Sequence, residues 1–145
     1  MRVTDLLRGK GPDVTTVSPD STLHVAAGVL AEHRIGALVV SPDGRTIDGI
    51  LSERDIVRLV ALDGARALDQ PVRNAMTQRV RTCRRTDSVE NLMRQMTEHR
   101  IRHVPVVDDE GSLSGIVSIG DVVKHRVEAL EDERKLLTDY IQTGR

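Results

Sequence analysis

Two serine and aspartate pairs carry the clearest chemistry in the chain. Ser52 is followed three residues later by Asp55, and Ser118 is followed at the same spacing by Asp121. Each pair comes directly after a short apolar run and opens an amphipathic stretch, which is typical of a buried strand that runs into a helix. At such a junction a hydroxyl, the first helical N–H groups and a carboxylate lie together. These groups favour phosphate and sugar hydroxyls as ligands.

The same spacing is also a helix capping pattern, in which serine and acid each accept a hydrogen bond from the other's backbone N–H. One copy would not distinguish a cap from a ligand site. The two pairs, however, lie in matching phrases, residues 49–55 (GILSERD) and 115–121 (GIVSIGD), with glycine, two apolar residues, serine and aspartate in the same places. This repetition favours the binding interpretation.

The similarity extends well beyond these phrases. A shift of 66 residues aligns 14–57 with 80–123 without a gap, and 11 of the 29 positions from 32 to 60 are identical to their counterparts in 98–126. A shared apolar pattern alone would not produce so many identities. The chain therefore contains a duplicated unit.

The elements that must position the pairs can be read within each unit. A short extended segment and turn residues precede a stretch with apolar residues at helical spacing. Continuous apolar runs at 37–40 and 104–107 then predict buried strands, and polar turns containing Gly44 or Gly111 lead into the strands that end at the serines. We predict an α/β (α+β) fold in which each unit runs strand, helix, strand, strand, helix.

Composition limits the function classes. The 21 basic and 22 acidic residues leave a net charge of −1, which argues against a nucleic-acid coat or a polybasic membrane anchor. Tyr140 is the only aromatic residue, so stacking platforms for single-stranded nucleic acid are missing. Cys83 is the only cysteine, which excludes an internal disulfide and favours a small buried side chain. We expect a cytoplasmic protein that does not act on membranes.

Catalysis is not expected. The chain contains no HExxH, GxSxG, Walker A or GxGxxG phrase, and its five histidines are scattered without metal-ligand spacing. The sequence therefore predicts neither a catalytic residue nor a metal site.

The duplicated unit with its Gly, two apolar residues, Ser, two variable residues and Asp resembles the CBS domain, first noted in cystathionine beta-synthase. Two units in tandem resemble a CBS pair, or Bateman module, and the resemblance covers about residues 3–126. We divide the chain into a first unit with its lead-in (1–68), a second unit (69–126) and a C-terminal helical extension (127–145). Residues 115–144 resemble the ending of stand-alone two-CBS proteins, which finish with a helix and a YIQ-type motif.

The resemblance implies a pseudo-twofold disc with two clefts that hold adenosine nucleotides. AMP is the first choice of ligand, with ATP, ADP or NAD(H) as alternatives. Asp55 and Asp121 would then bind the ribose hydroxyls of the first and second clefts. The other residues that the resemblance assigns to ribose, phosphate or adenine are Ser52, Thr16, Val17 and Ile35 in the first unit, and Ser118, Thr82, Cys83 and Ile101 in the second.

The two units differ in charge beside these positions. Arg102 and His103 of the second unit align with Gly36 and Ala37 of the first, so only the second cleft has its own cationic edge for a phosphate. Arg54 has no basic counterpart at Gly120, and it is a further candidate for a phosphate near the pseudo-axis, although an exposed arginine at a helix start is often simply solvated. We rank the second cleft first.

The end of the second unit and the C-terminal extension carry apolar residues at a heptad-like spacing: Val123, Val127, Leu130, Leu137 and Ile141. This seam predicts a homodimer, or alternatively a helix that folds back on its own core. We expect a sensor of this kind to act in trans on a protein target that the sequence does not identify. A ligand-independent dimeric interaction scaffold is the alternative function.

Overall fold

The computed structural model describes residues 1–11 and 13–144. The short helix α1 (Val3–Leu7) precedes the first unit. That unit contains β1 (Thr16–Val17), α2 (Leu23–His33), β2 (Ala37–Val40), β3 (Gly49–Ser52) and α3 (Glu53–Asp63). Two 3-10 helices, Gly64–Asp69 and Val72–Asn74, lead to β4 (Cys83–Arg84), α4 (Val89–His99), β5 (His103–Val107), β6 (Leu113–Ser118) and α5 (Ile119–Thr143). The predicted order of strand, helix, strand, strand, helix is confirmed in both units.

Each unit forms its own three-stranded sheet, in the order β1-β2-β3 and β4-β5-β6. The first strand of each sheet pairs parallel to the second, and the second pairs antiparallel to the third. All four residues of β2 are buried, as its continuous apolar run predicts. The sheets therefore place Ser52 and Ser118 at equivalent strand ends.

The two lead-in segments cross between the units. Val3, Leu6 and Leu7 of α1 are buried in the core of the second unit, whereas Val72 is buried in the core of the first. Backbone hydrogen bonds fix both crossings, from Val3 N to Asp87 O (2.9 Å) and from Val72 N to Ser21 O (2.7 Å). Each unit thus completes its core with a segment that precedes the other unit in the chain.

The helices α2 and α4 end in the same way. Arg34 and Arg100 adopt the left-handed conformation, with φ of 53° and 52°. The next residue, Ile35 or Ile101, donates its N–H back to Leu30 O or Met96 O at 3.1 Å. This is a Schellman-type ending, and it turns the chain directly into β2 or β5.

The helices α3 and α5 start alike but end differently. The first ends at Asp63, whereas α5 continues to Thr143. Val122 is its buried residue, and the seam residues Val123, Val127, Leu130, Leu137 and Ile141 are each between 47% and 78% exposed. The extension therefore does not fold back onto the core of its own chain.

Candidate nucleotide-binding clefts

The serine and aspartate pairs form reciprocal capping boxes at the starts of α3 and α5. Ser52 N donates to Asp55 Oδ2 at 2.9 Å, and Asp55 N donates to Ser52 Oγ at 3.2 Å. The corresponding distances for Ser118 and Asp121 are 2.8 and 3.2 Å. The capping interpretation is therefore correct for both pairs. It leaves the Oδ1 atom of each aspartate without a protein hydrogen bond within the described residues.

The surroundings of the capping boxes suit a polyhydroxyl or anionic ligand. Each box lies where a buried strand meets a helix start, so the free N–H groups and the positive end of the helix dipole are close to the free carboxylate oxygen. The side chains of both serines and both aspartates are partly accessible. A capped helix start can hence still present an acceptor for hydroxyl groups beside donors for phosphate.

Lys10 is a site residue that the sequence interpretation missed. Its Nζ lies 2.7 Å from Asp121 Oδ2 and donates to Ile116 O at 3.0 Å. The corresponding carbonyl of the first unit, Ile50 O, instead accepts the backbone N–H of Thr77 at 2.9 Å. A lysine between Gly9 and Gly11 was the available signal, but it lies before residue 14, where the gap-free alignment of the repeats begins.

Arg102 and His103 lie at the same cleft as Asp121. The N–H of Ile119, at the start of α5, donates to Arg102 O at 2.8 Å. The His103 ring is half-buried; burial lowers its pKa, and Lys10 and Arg102 act in the same direction, against the opposing effect of Asp121 and Glu53. These charged groups therefore surround one histidine, which is held in its neutral form more strongly than an exposed one.

Gly36 lets the two units meet at this point. A Cβ atom there would lie 2.8 Å from Glu53 Oε1 and 3.5 Å from His103 Cε1. The glycine that aligns with Arg102 thus leaves room for a carboxylate of the first unit and the imidazole of the second. Arg54, directly after Glu53, is exposed and forms no ion pair within the described residues.

Two of the candidate adenine-binding residues belong to the hydrophobic cores. Val17 and Cys83 are buried in the two cores, so only their backbone groups are available to a ligand. Burial raises the pKa of the Cys83 thiol to about 12, and Asp87 adds to this effect. The residue is therefore an unreactive core side chain, as predicted.

Two open grooves, each of about 470 Å³, are lined in part by other candidate adenine-binding residues. Ile35 lines a groove between α2 and α3, together with Glu53. Thr82 lines another, together with Thr46 of the opposite unit. Ile101 packs against the second core, and Thr16 is half-buried in β1. Neither groove includes Asp55 or Asp121, so the described grooves do not join the adenine candidates to the ribose candidates.

Metal clusters and membrane-spanning helices were considered for the described ranges 1–11 and 13–144. No group of three His, Cys, Asp or Glu side chains there could hold a metal ion. No helix there is both long and apolar enough to cross a membrane.

Comparison with known proteins places the chain among relatives of the same architecture. The mitochondrial CBS domain-containing protein CBSX3 of Arabidopsis thaliana is 34% identical over 150 residues, covering 98% of this chain and 72% of that protein. The crystal structure of the CBS-domain containing protein ATU1752 from Agrobacterium tumefaciens matches with a TM-score of 0.83 and 49% identity, over 87% of this chain and 99% of that one.

A third relative carries a ligand. The CBS domain protein PAE2072 from Pyrobaculum aerophilum, solved in complex with AMP, matches with a TM-score of 0.79 and 33% identity, over 90% of this chain and 97% of that one. The CBS domain family itself matches residues 3–62 and 72–128. The chain belongs to the CBS domain family and contains two copies of the domain in tandem.

Proposed function

We propose that this protein is a regulatory module that binds an adenine nucleotide and acts in trans, without catalysis, as an energy or redox sensor. AMP is the preferred ligand, and ATP, ADP and NAD(H) are the alternatives. The observation that carries this proposal is the convergence of Lys10, Arg102 and His103 on the helix start that holds Asp121. A PAE2072 complex that contains AMP supports the choice of ligand.

The second cleft is the principal site in this proposal. Asp121 accepts the ribose hydroxyls through its free oxygen, Ser118 lies beside ribose and phosphate, and Arg102 and His103 bind the phosphate. The first cleft, with Asp55, Ser52 and Arg54, binds ligand more weakly because Gly36 and Ala37 supply no charge at the corresponding edge.

In this proposal, the adenine and the ribose of one ligand are bound by different units. The chain that contains Lys10, in contact with Asp121, continues into Thr16 and Val17. In the same way, Thr77 pairs with Ile50 of β3 and is followed by Thr82 and Cys83. Each aspartate would thus bind the ribose of a ligand whose adenine contacts the first strand of the opposite unit, flanked by Ile35 or Ile101. A nucleotide bound in this way would bridge both units and bias their packing.

Calorimetric titration with AMP, ADP, ATP, NAD⁺ and NADH tests the proposal. We expect one tight site for AMP and a rise in melting temperature on its addition, because a ligand that binds only the folded state stabilises it. Incubation with each nucleotide, followed by chromatography, should recover the nucleotide unchanged. Absence of binding for the whole panel would overturn the sensor assignment, and turnover would overturn the non-catalytic one.

A ligand-independent dimeric scaffold is the second candidate function. It is favoured by the exposed seam of α5, where Leu130 is 51% exposed and Ile141 is 78% exposed. A scaffold would form the same dimer without ligand and would show no nucleotide-dependent change in melting temperature.

A further inference from the structure

Lys10 occupies a place at Asp121 that a ribose would need. A carboxylate oxygen offers about two lone-pair positions. At Asp121 Oδ2, Ser118 N takes one at 2.8 Å and Lys10 Nζ takes the other at 2.7 Å. Within the described residues, Oδ1 alone is free of protein contacts. A ribose diol that engages both carboxylate oxygens must therefore displace the ammonium group.

The Lys10–Asp121 pair is partly enclosed. Its side chains are 34% and 20% exposed, which is less than for the other ion pairs formed by the described residues. An ammonium group that loses its carboxylate in such a place retains only Ile116 O as a protein partner. Its displacement therefore has a free-energy cost unless the incoming ligand supplies a new anion.

We propose that Lys10 is an exchange residue that selects anionic adenosine ligands: the ribose takes its place at Asp121, and the 5′-phosphate becomes its new partner. The inference deepens the proposed function and rests on it. The lysine has a flexible four-carbon stem, so its ammonium group can move while the main chain stays in place. An uncharged adenosine would incur the cost of the displacement and offer no phosphate in return.

The first cleft lacks this device. Met76 packs against Gly49 as Leu7 packs against Gly115, so the residue that corresponds to Lys10 in the second lead-in is Arg79, three residues after Met76. Asp55 has no basic partner among the ion pairs of the described residues. Selection for a charged ligand by exchange is therefore specific to the second cleft.

The test is calorimetric titration of the full chain with AMP and with adenosine. Lys10→Met should weaken AMP binding at least about tenfold, because a charge-assisted contact is lost, and should leave adenosine binding unchanged or tighter. Lys10→Arg keeps the charge and should retain most of the AMP preference. Arg8→Met is the matched control, since Arg8 is an exposed cation of the same segment that contacts Asp5; it should change neither affinity more than about twofold.

The outcomes separate the inference from the proposed function. Equal losses for AMP and adenosine in folded Lys10→Met, or no change for AMP, would overturn the exchange role while nucleotide binding stands. If Lys10→Met does not fold, loss of the AMP preference in Lys10→Arg beyond about tenfold would overturn it instead. A wild-type chain that binds neither ligand would overturn both.

Discussion

The two clefts share one backbone frame and differ in the charges placed around it. Ser52 has φ and ψ of −106° and 160°, and Ser118 has −104° and 162°. The capping distances agree within 0.1 Å. Lys10, in contrast, contacts only the aspartate of the second unit, Asp121, and Arg102 aligns with the uncharged Gly36 of the first unit. After the duplication, the cap kept its local geometry, while the surrounding residues diverged toward one charged site and one weakly charged site.

The helices that start at the two capping boxes, α3 and α5, also differ between the units. In the first unit, α3 gives way to 3-10 turns that carry the chain across to the second unit. In the second unit, α5 continues as an exposed amphipathic helix to Thr143. The second unit therefore has two features that the first lacks, a charged cleft and an apolar seam. Each can be removed separately by substitution or truncation.

Removal of the seam should have the largest effect. We expect the full chain to be a homodimer at micromolar concentration and a truncated chain ending at Arg126 to be largely monomeric. Burial of a large apolar side chain contributes roughly 1.5–3 kcal/mol, and the truncation removes four of the five seam residues, leaving only Val123. Light scattering on both chains measures the difference.

A matched pair of substitutions controls this experiment. Leu137→Glu places a charge on the seam, whereas Leu136→Glu places it one position away on a residue that is 70% exposed. The first should dissociate the dimer and the second should not. A monomeric full chain would contradict the dimer, and equally stable dimers for the full and truncated chains would assign the interface to the CBS helices alone.

Asp121→Ala should weaken AMP binding by more than about 1 kcal/mol, because charge-assisted hydrogen bonds to ribose are lost. Asp55→Ala should have a smaller effect on the same titration. Each variant removes an equivalent capping interaction, so the two control for each other in the cap. Asp121→Ala also removes the ion pair with Lys10 and should therefore lower the free energy of unfolding more than Asp55→Ala does. Unchanged affinity in folded Asp121→Ala would refute its ribose assignment, and equal losses would refute the ranking of the clefts.

Arg102→Ala separates phosphate binding from folding. We expect it to weaken AMP binding by about 1.5–3 kcal/mol and adenosine binding hardly at all, since only AMP carries the phosphate. Gly36→Arg, the reciprocal exchange, is not a matched control, because the added side chain would also displace the Glu53 carboxylate. Parallel titrations of the two ligands are sufficient: equal losses would mean that Arg102 supports the fold.

His103 makes the second cleft sensitive to acid. Burial, Lys10 and Arg102 lower its pKa against the opposing effects of Asp121 and Glu53, so the unfolded chain binds its proton more readily than the folded one. The resulting stability is fully present above the ordinary histidine pKa of about 6.5, and it is lost as the pH falls below that value. The free energy of unfolding of His103→Gln should therefore depend less on pH between about 7.5 and 5 than that of wild type. Exposed His24→Gln should retain the wild-type profile, and a His103→Gln profile as steep as that of wild type would contradict this role.

The repeated pattern predicted the strands and helices because apolar runs and helical spacing are local properties. It did not predict that α1 packs in the core of the second unit and Val72 in the core of the first. Both cores accept short apolar segments of similar character, so the sequence does not indicate which segment each core takes. Residue spacing is also misleading at the start of α4. Asp87 and Glu90 match a capping box, but Ser88 caps α4, and Asp87 closes the preceding turn by accepting from Arg84 N at 2.8 Å.

The sequence predicted candidate site residues only at positions where the two repeats can be aligned. Ser118 and Asp121 were identified because both copies carry them, and Arg102 and His103 were noticed because the aligned positions differ. Lys10 reaches Asp121 from 111 residues away, through a lead-in segment whose crossing is a tertiary feature. A comparison of the repeats therefore gave no signal for the residue that most distinguishes the two clefts.

The smallest expected effect tests whether the units remain equivalent away from the clefts. Arg34 and Arg100 end α2 and α4 in the left-handed conformation, which is costly for a residue with a Cβ but not for glycine. Arg34→Gly and Arg100→Gly should each raise the free energy of unfolding by up to about 1 kcal/mol, because this relief exceeds the extra entropy of glycine in the unfolded chain. The dihedral angles agree within 2°, and the two helices pack into separate cores, so the gains should be equal and additive. Urea unfolding of both single variants and the double variant gives these values, with Ala31→Gly inside α2 as a control that should lose about 1 kcal/mol. A loss in either arginine variant as large as that of the control would show that the arginine side chain contributes contacts that outweigh the strain of its backbone.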